Sequence, residues 1–418
     1  MPTHLTPPSA GPDPPGAEGQ LLTATVDRAD PEGADVDALV DGMTRFGLEL
    51  FGQVAEPGAN VVVSPPSIAV AFGMARAGAA GTTAEEIDAV LRFPPDAATT
   101  HSSFNALDRL LAEAAPADLG AHDPEATRSP EESAPPALAI ANGVFPQIGF
   151  PVREQYLSTL AAQYGAGVVP VDFTAPDRAT RIIDAWVREQ TRERIDRLFD
   201  DLDPTTVLVL ANAVYLKADW LRPFAERPTE ELPFTLADGS HVGVPTMSQR
   251  QMKRYAQGDG WQAVELPYTG GRLAMWVLVP SADRTPSEVL TPGVLAAVDG
   301  GLAEGIVDLH MPRWAFDTDV ELIPVLRALG MQAPFTGFAD FSGITHARIW
   351  IGDAIHRATI TVDEWGTEAA AVTGLAFVTS FSVPPPDAVI HADRPFAIVI
   401  LDTQVRLPLF LGQVADPS

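Results

Sequence analysis

From Val36 onward the apolar residues Val36, Leu39, Val40, Met43, Phe46, Leu50 and Phe51 recur at helical spacing, which predicts an amphipathic helix. NVVV at 60–63 reads as a short buried strand. Ser64-Pro65-Pro66-Ser67 then opens a small-residue helix, IAVAFGMARAGAAG, and Thr83 stands where it could cap the next, AEEIDAVLR. Residues 115–136 are polar, acidic and proline-rich, the pattern of a loop insertion. LAIANGVF (138–145) predicts a strand and 177–199 a helix. VLVLANAVYL (207–216) is almost continuously apolar, as a strand buried on both faces would be. WQAVELPY, LAMWVLVP, FAIVIL and VRLPLFLG add further strands. Helices dominate the first half and strands the second, without an internal repeat, which points to an α+β protein with one or more large sheets.

One stretch fits neither pattern. Residues 364–386 read EWGTEAAAVTGLAFVTSFSVPPP, with no charge from Ala369 to Pro386 and no Lys or Arg from Ala358 to Asp393. Strands alternate faces with period 2. With Thr367 facing inward, Ala369, Ala371, Thr373, Leu375, Phe377 and Thr379 face the same way. Glu368, Ala370, Val372, Gly374, Ala376 and Val378 then face out. The charge lands outside, the large apolar residues land inside, and the first inward residues are small. Such a segment could slip between two paired strands, yet lacks the bulk to dock anywhere beforehand. A flexible Ala/Thr linker is the plainer alternative, although parity would not matter to a linker.

Composition narrows the function. The 418 residues suit one large domain or two ordinary ones and carry a formal net charge of −28, which argues against binding nucleic acid or anionic membranes through a general field. Only Lys217 and Lys253 are lysine, and the Arg, Ala, Pro and Gly bias reads as a high-GC, bacterial coding background. There is no cysteine, so disulfides, thiolate metal sites and cysteine nucleophiles are excluded. No apolar run is long enough to span a membrane. The first residues, MPTHLTPPSAGPDPPGAEG, hold six prolines in fifteen positions and no signal-peptide pattern. Residues 1–35 are accordingly expected to be a disordered arm before a single domain over 36–418, and the location to be cytoplasmic, with export by another route left open. The sequence has no Walker loop, G-x-G-x-x-G, H-E-x-x-H or G-x-S-x-G, and the eight histidines form no i,i+4 pair.

Several stretches together resemble the serpin family. They are NVVVSPPSIAVAFGMARAGAAGTTAEEI (60–87), VLANAVYLKADWLRPF (209–224), VELPYTGGRLAMWVLVP (264–280), the stretch 311–345, IGDAIHRATITVDEWGTEAAA (351–371) and DRPFAIVILDTQVRLPLFLGQVADP (393–417). They run in family order over nearly everything after residue 36. The resemblance implies three β-sheets covered by about eight or nine helices, with 364–386 as an exposed reactive-centre loop. It implies a monomeric suicide-substrate inhibitor, not an enzyme. A target serine protease would cut the loop, remain covalently attached as an acyl complex, and be dragged along as the loop inserts into the central sheet. No cofactor or metal is expected.

The resemblance also assigns residues. The hinge would be Glu364, Gly366, Thr367, Glu368, Ala369, Ala370 and Ala371. Gly366 could absorb a backbone turn, and the hydroxyl of Thr367 could find a partner when buried. The run of small residues argues for an inhibitor over a carrier or storage member of the family. Counting sixteen positions from Glu364 puts the scissile bond at Ser380–Phe381, with Thr379 and Phe381 as alternates for the residue preceding the cut. These residues suit elastase-, subtilisin- or chymotrypsin-like proteases. A polar shutter would comprise Ser64, Ser67 and His356, with Asp184 standing where the family has asparagine. Asp184 could pair with His356 and make sheet opening pH-sensitive, or simply face solvent. TRERI (191–195) carries Glu193 in place of a usual glycine. The helix FNALDRLLAEAAPADLG has one basic residue, Arg109, against Asp108, Glu113 and Asp118, so no glycosaminoglycan is expected. The rivals are a non-inhibitory carrier or storage protein of the same fold and a hydrolase with an unrecognised site.

Overall fold

The structure, a computed structural model, describes residues 18–115, 136–199, 202–224, 227–367 and 385–418. The chain opens with α1 (Val36–Val54), β1 (Val61–Val63), α2 (Pro65–Arg76), α3 (Gly81–Leu91) and α4 (Ala97–Ala114). Next come β2 (Ala137–Pro146), α5 (Glu154–Thr159), α6 (Pro176–Gln190), β3 (Leu208–Asp219), β4 (Glu230–Thr235), β5 (His241–Gly258), β6 (Trp261–Pro267) and β7 (Leu273–Pro280). Then follow α7 (Pro286–Val289), α8 (Pro292–Gly301), β8 (Ala303–Pro312), β9 (Trp314–Glu321) and α9 (Leu322–Ala328). The last strands are β10 (Asp353–Val362), β11 (Gly366–Thr367), β12 (Ala388–His391), β13 (Phe396–Asp402) and β14 (Leu407–Val414).

Among the described residues the strands form a nine-stranded sheet, β1-β14-β13-β7-β6-β5-β8-β12 with β4 on β5, and a five-stranded sheet, β2-β3-β11-β10-β9. The architecture is the expected α+β one of large sheets covered by helices. Hydrogen bonding merges its strands into two sheets because β5 runs long enough to pair with β4, β6 and β8. The main core lies between the sheets and α1–α4. A smaller core lies on the far face of the five-stranded sheet, where Ile183 and Val187 of α6 meet Val209, Ala211 and Ala213 of β3. The even-numbered residues Leu208, Leu210, Val214 and Leu216 enter the main core, which explains the unbroken apolar run.

Three local expectations change. Thr83 lies inside α3, not at its cap, and its hydroxyl instead accepts from Asp340 N at 2.8 Å. The helix expected over 177–199 stops at Gln190, and Arg192 and Glu193 follow in left-handed conformation at φ 52° and 64°. That geometry is the physical reason a glycine suits the position of Glu193. Residues 18–35 of the expected arm run along the domain surface and bond to it at several points. Leu22 and Val168 exchange backbone hydrogen bonds, Glu18 pairs with Arg178 at 2.8 Å, and Arg28 donates to Asn105 at 2.7 Å. Residues 1–17 and 116–135 lie outside the described residues. Arg109 is occupied within the fold, donating to Ala29 O at 2.7 Å.

Candidate functional site

The five-stranded sheet contains one anomaly. β2–β3, β9–β10, β10–β11 and β3–β11 pair antiparallel, but β3 and β10 pair parallel, from Val209↔Asp353 to Tyr215↔Thr359. Parallel pairing is slightly weaker per residue. At one end of this seam the two strands diverge, and β11 sits between them, antiparallel to both. Thr367 stands opposite Ala218 on one side and Val362 on the other. At this end the seam thus holds a two-residue strand between its two sides.

The first hinge residues close this end. Thr367 is buried, and its hydroxyl lies 2.7 Å from that of Tyr268. Tyr268 stacks on Trp220 with ring centroids 4.6 Å apart, and burial raises its phenol pKa well above the usual range. Trp220 in turn donates its indole N–H to Asp363 O at 3.0 Å. Glu364 accepts from the Thr229 hydroxyl and lies 3.4 Å from Arg313 Nε. Gly366 does not use the freedom expected of it, for its φ is not among the positive ones. Its role is close approach: a Cβ there would lie 2.2 Å from Ala218 O and 2.8 Å from Asp219 Cα. Any side chain would push β11 off β3. Glu368, Ala369, Ala370, Ala371, Thr379, Ser380 and Phe381 lie outside the described residues.

Midway along the seam a polar ladder crosses three strands. Asn142 of β2 and Asn212 of β3 are directly opposite, and Asn212 is directly opposite His356 of β10. Ser64 N donates to His356 Nε2 at 3.0 Å, and His356 Nδ1–H donates to Asn212 Oδ1. The Asn212 amide donates to Ser67 Oγ and Asn142 Oδ1. Both imidazole nitrogens are used by a neutral ring, one accepting and one donating. Burial drives the His356 pKa down to about 3, with Asp319 opposing the shift. Protonating Nε2 would also set two donors against each other.

Ser64, Ser67 and His356 therefore meet, Ser64 through its backbone. Asp184 does not join them. It lies on α6, over the opposite face of the sheet, and its carboxylate accepts from Leu198 N at 2.8 Å. Ile355 belongs to the α6 side, so the next residue, His356, must face away from it. Burial raises the Asp184 pKa against the N–H bonds of Leu198 and Phe199. The asparagine of the cluster is Asn212. It was legible as the lone polar residue in VLVLANAVYL, as Asn142 was in LAIANGVF. Outside the cluster, Arg357 pairs with Asp319 and donates to Arg197 O, closing the outer side of the seam.

Comparisons with known proteins agree with this geometry. The family model described as "Serpin (serine protease inhibitor)" matches residues 41–417. An uncharacterized serpin-like protein of Thermococcus kodakarensis is 33% identical over 385 residues, covering 91% of this chain and 86% of that one. Iripin-2 of Ixodes ricinus is 33% identical over 387 residues, covering 90% and 93%. Among solved structures, the thermophilic serpin tengpin in its native state superposes with a TM-score of 0.80 at 21% identity, over 94% of this chain and 97% of that one. Human thyroxine-binding globulin complexed with thyroxine gives 0.78 at 26%, over 92% and 100%. Among the described residues no helix is long and apolar enough to cross a membrane.

Proposed function

The chain belongs to the serpin family, and on that premise we propose that it is a suicide-substrate inhibitor of serine proteases of elastase, subtilisin or chymotrypsin type. The protease attacks the Ser380–Phe381 bond of the loop, with Thr379 and Phe381 as alternates for the residue before the cut. The Ser380 carbonyl becomes an ester on the protease serine and the chain from Phe381 leaves as amine. The freed loop then continues β11 down the seam before water can cleave the ester. The inhibitor performs no turnover of its own.

The observation that carries this reading is the register. Continuing from Thr367↔Ala218 down β3 brings Ala376 opposite Val209. Continuing from Thr367↔Val362 down β10 brings Ala376 opposite Asp353. Val209 and Asp353 are themselves partners across the closed seam, so both counts meet at one residue. A strand over 368–376 would fit with no slip on either side. One parallel ladder would be exchanged for two antiparallel ones. In that register Glu368 faces out, Leu375 faces the main core, and Thr373 arrives opposite Asn212 and His356. The shutter ladder would then have to open and re-form around a threonine.

The test is to mix the protein with elastase, subtilisin and chymotrypsin, denature in detergent, and look for a covalent adduct. In parallel, the melting temperature is measured before and after loop cleavage. An adduct together with a rise of about 10 °C or more, from some nine newly paired residues, is expected. Cleavage without adduct and without a shift would favour a carrier, as the likeness to thyroxine-binding globulin allows. Hydrolysis of other substrates would favour an enzyme.

A further inference from the structure

We infer that Asp363 is a positioning residue for loop insertion, its buried carboxylate folding residues 363–366 into a preformed turn that aims the loop into the seam. The inference rests on the inhibitory reading. Asp363 Oδ1 accepts from Trp365 N at 2.7 Å and from Gly366 N at 3.2 Å. Its own N–H donates to Gly366 O at 3.0 Å, and its carbonyl receives the Trp220 indole. All four bonds converge on the reversal between β10 and β11. Without that reversal, the first inserting pair, Gly366 and Thr367, would have to find the gap between β3 and β10 anew after each cut. With it, insertion starts from a formed nucleus and only propagates. This matters because insertion competes with hydrolysis of the acyl bond.

The carboxylate is also the part of the turn that acid can change. Asp363 is 9% exposed, and burial pushes its pKa up to about 6, opposed by the bonds from Trp365 and Gly366. Among charged groups, Glu364 raises it further and Arg313, beside Glu364, lowers it. Asp219 of β3, buried opposite Gly366, is a further carboxylate among the described residues there. Because the closed turn raises this pKa, proton binding favours the closed turn over an opened one in which the carboxylate meets water. Acid should therefore hold the start of the inserted strand more firmly while leaving the scissile bond intact.

The experiment compares wild type, Asp363→Asn and Asp363→Ala at pH 7.5 and 5.0, scoring the ratio of cleaved inhibitor to detergent-stable adduct with subtilisin. The asparagine variant keeps the shape and one neutral acceptor, so folding, checked by circular dichroism, should survive. At pH 7.5 the ratio should rise about tenfold for Ala, which has no acceptor, and little for Asn, which keeps one. Relative to Asn, which does not titrate, wild type should trap more efficiently as pH falls through 6. This normalisation cancels the protease's own pH dependence. Equal ratios for all three at both pH values would overturn the inference. If wild type traps no protease at all, it is the inhibitory reading that fails. Asp363 is then judged by how fast the cleaved chain gains heat resistance. Slower gain in Ala supports the role, and an equal rate refutes it.

Discussion

Replacing Thr367 by arginine should convert an inhibitor into a substrate. Thr367 is 1% exposed and its hydroxyl is the partner of the fully buried Tyr268. In the intact protein the introduced arginine can leave the seam by unpairing β11, a two-residue strand. That strands the Tyr268 hydroxyl at about 1–3 kcal/mol. The inserted state has no such escape, because the arginine then lies between β3 and β10 with its side chain on the core face. An uncompensated buried charge costs about 3–5 kcal/mol. At about 1.4 kcal/mol per tenfold, insertion slows by roughly 10²- to 10⁴-fold if the transition state feels the full cost. Hydrolysis of the acyl bond then wins. The assay measures cleavage rate and adduct yield together: Thr367→Arg should be cut at the normal rate with little adduct. Two controls bracket it. Thr367→Val removes Tyr268's partner in both states alike, so it should lower stability yet keep the adduct. Ala370→Ser changes an outward position and should alter neither stability nor adduct yield. Equal adduct yields from wild type and Thr367→Arg would refute the insertion mechanism for this protein.

Other predictions follow from single positions. Ser380→Arg should create trypsin inhibition, since a basic residue then precedes the scissile bond; mass spectrometry of the released peptide locates the cut, and a fragment starting at Ser382 would move the determinant to Phe381. Glu193→Gly should stabilise by about 1–2 kcal/mol, read by thermal or denaturant unfolding, because Glu193 sits at φ 64°. His356 is neutral in the native state, with a pKa near 3 against 6.5 in the unfolded chain, so its contribution is complete above pH 6.5 and is lost as pH falls below that value. His356→Gln should remove this component, so wild type should lose stability relative to the variant between pH 6.5 and 4; parallel pH profiles would show that His356 does not titrate on unfolding. Asp353 and Asp363, both raised to about 6 by burial, work in the opposite sense and cancel in that comparison.

Where the pattern of residues is local, it was readable directly. Helical spacing from Val36 gives α1, and the apolar run at 207–216 gives a strand covered on both faces, as α6 and the main core cover β3. Thr367, taken as inward to set the alternation, lies buried. What misled the reading was partnership between distant segments. Asp184 stood as a shutter candidate by its place in the chain, but the face of a helix and the face of a strand cannot be compared until they pack. Asn212 and Asn142 are polar residues within apolar runs, a signal not singled out in the sequence, and nothing local says that they meet each other and His356. Proline-rich composition placed an arm over 1–35, whereas Leu22, Glu18 and Arg28 find partners at Val168, Arg178 and Asn105.

The sequence by itself determined the class of elements, their order, the family resemblance and the neutral, small-residue character of the loop, because periodicity and side-chain size are properties of neighbouring residues. Only the tertiary structure decided that β3 and β10 meet in parallel, that β11 already stands between them, and that Gly366 is required for close approach and not for its φ. Strand direction and backbone separation depend on where segments far apart in the chain come to rest, and so on packing that no single stretch encodes.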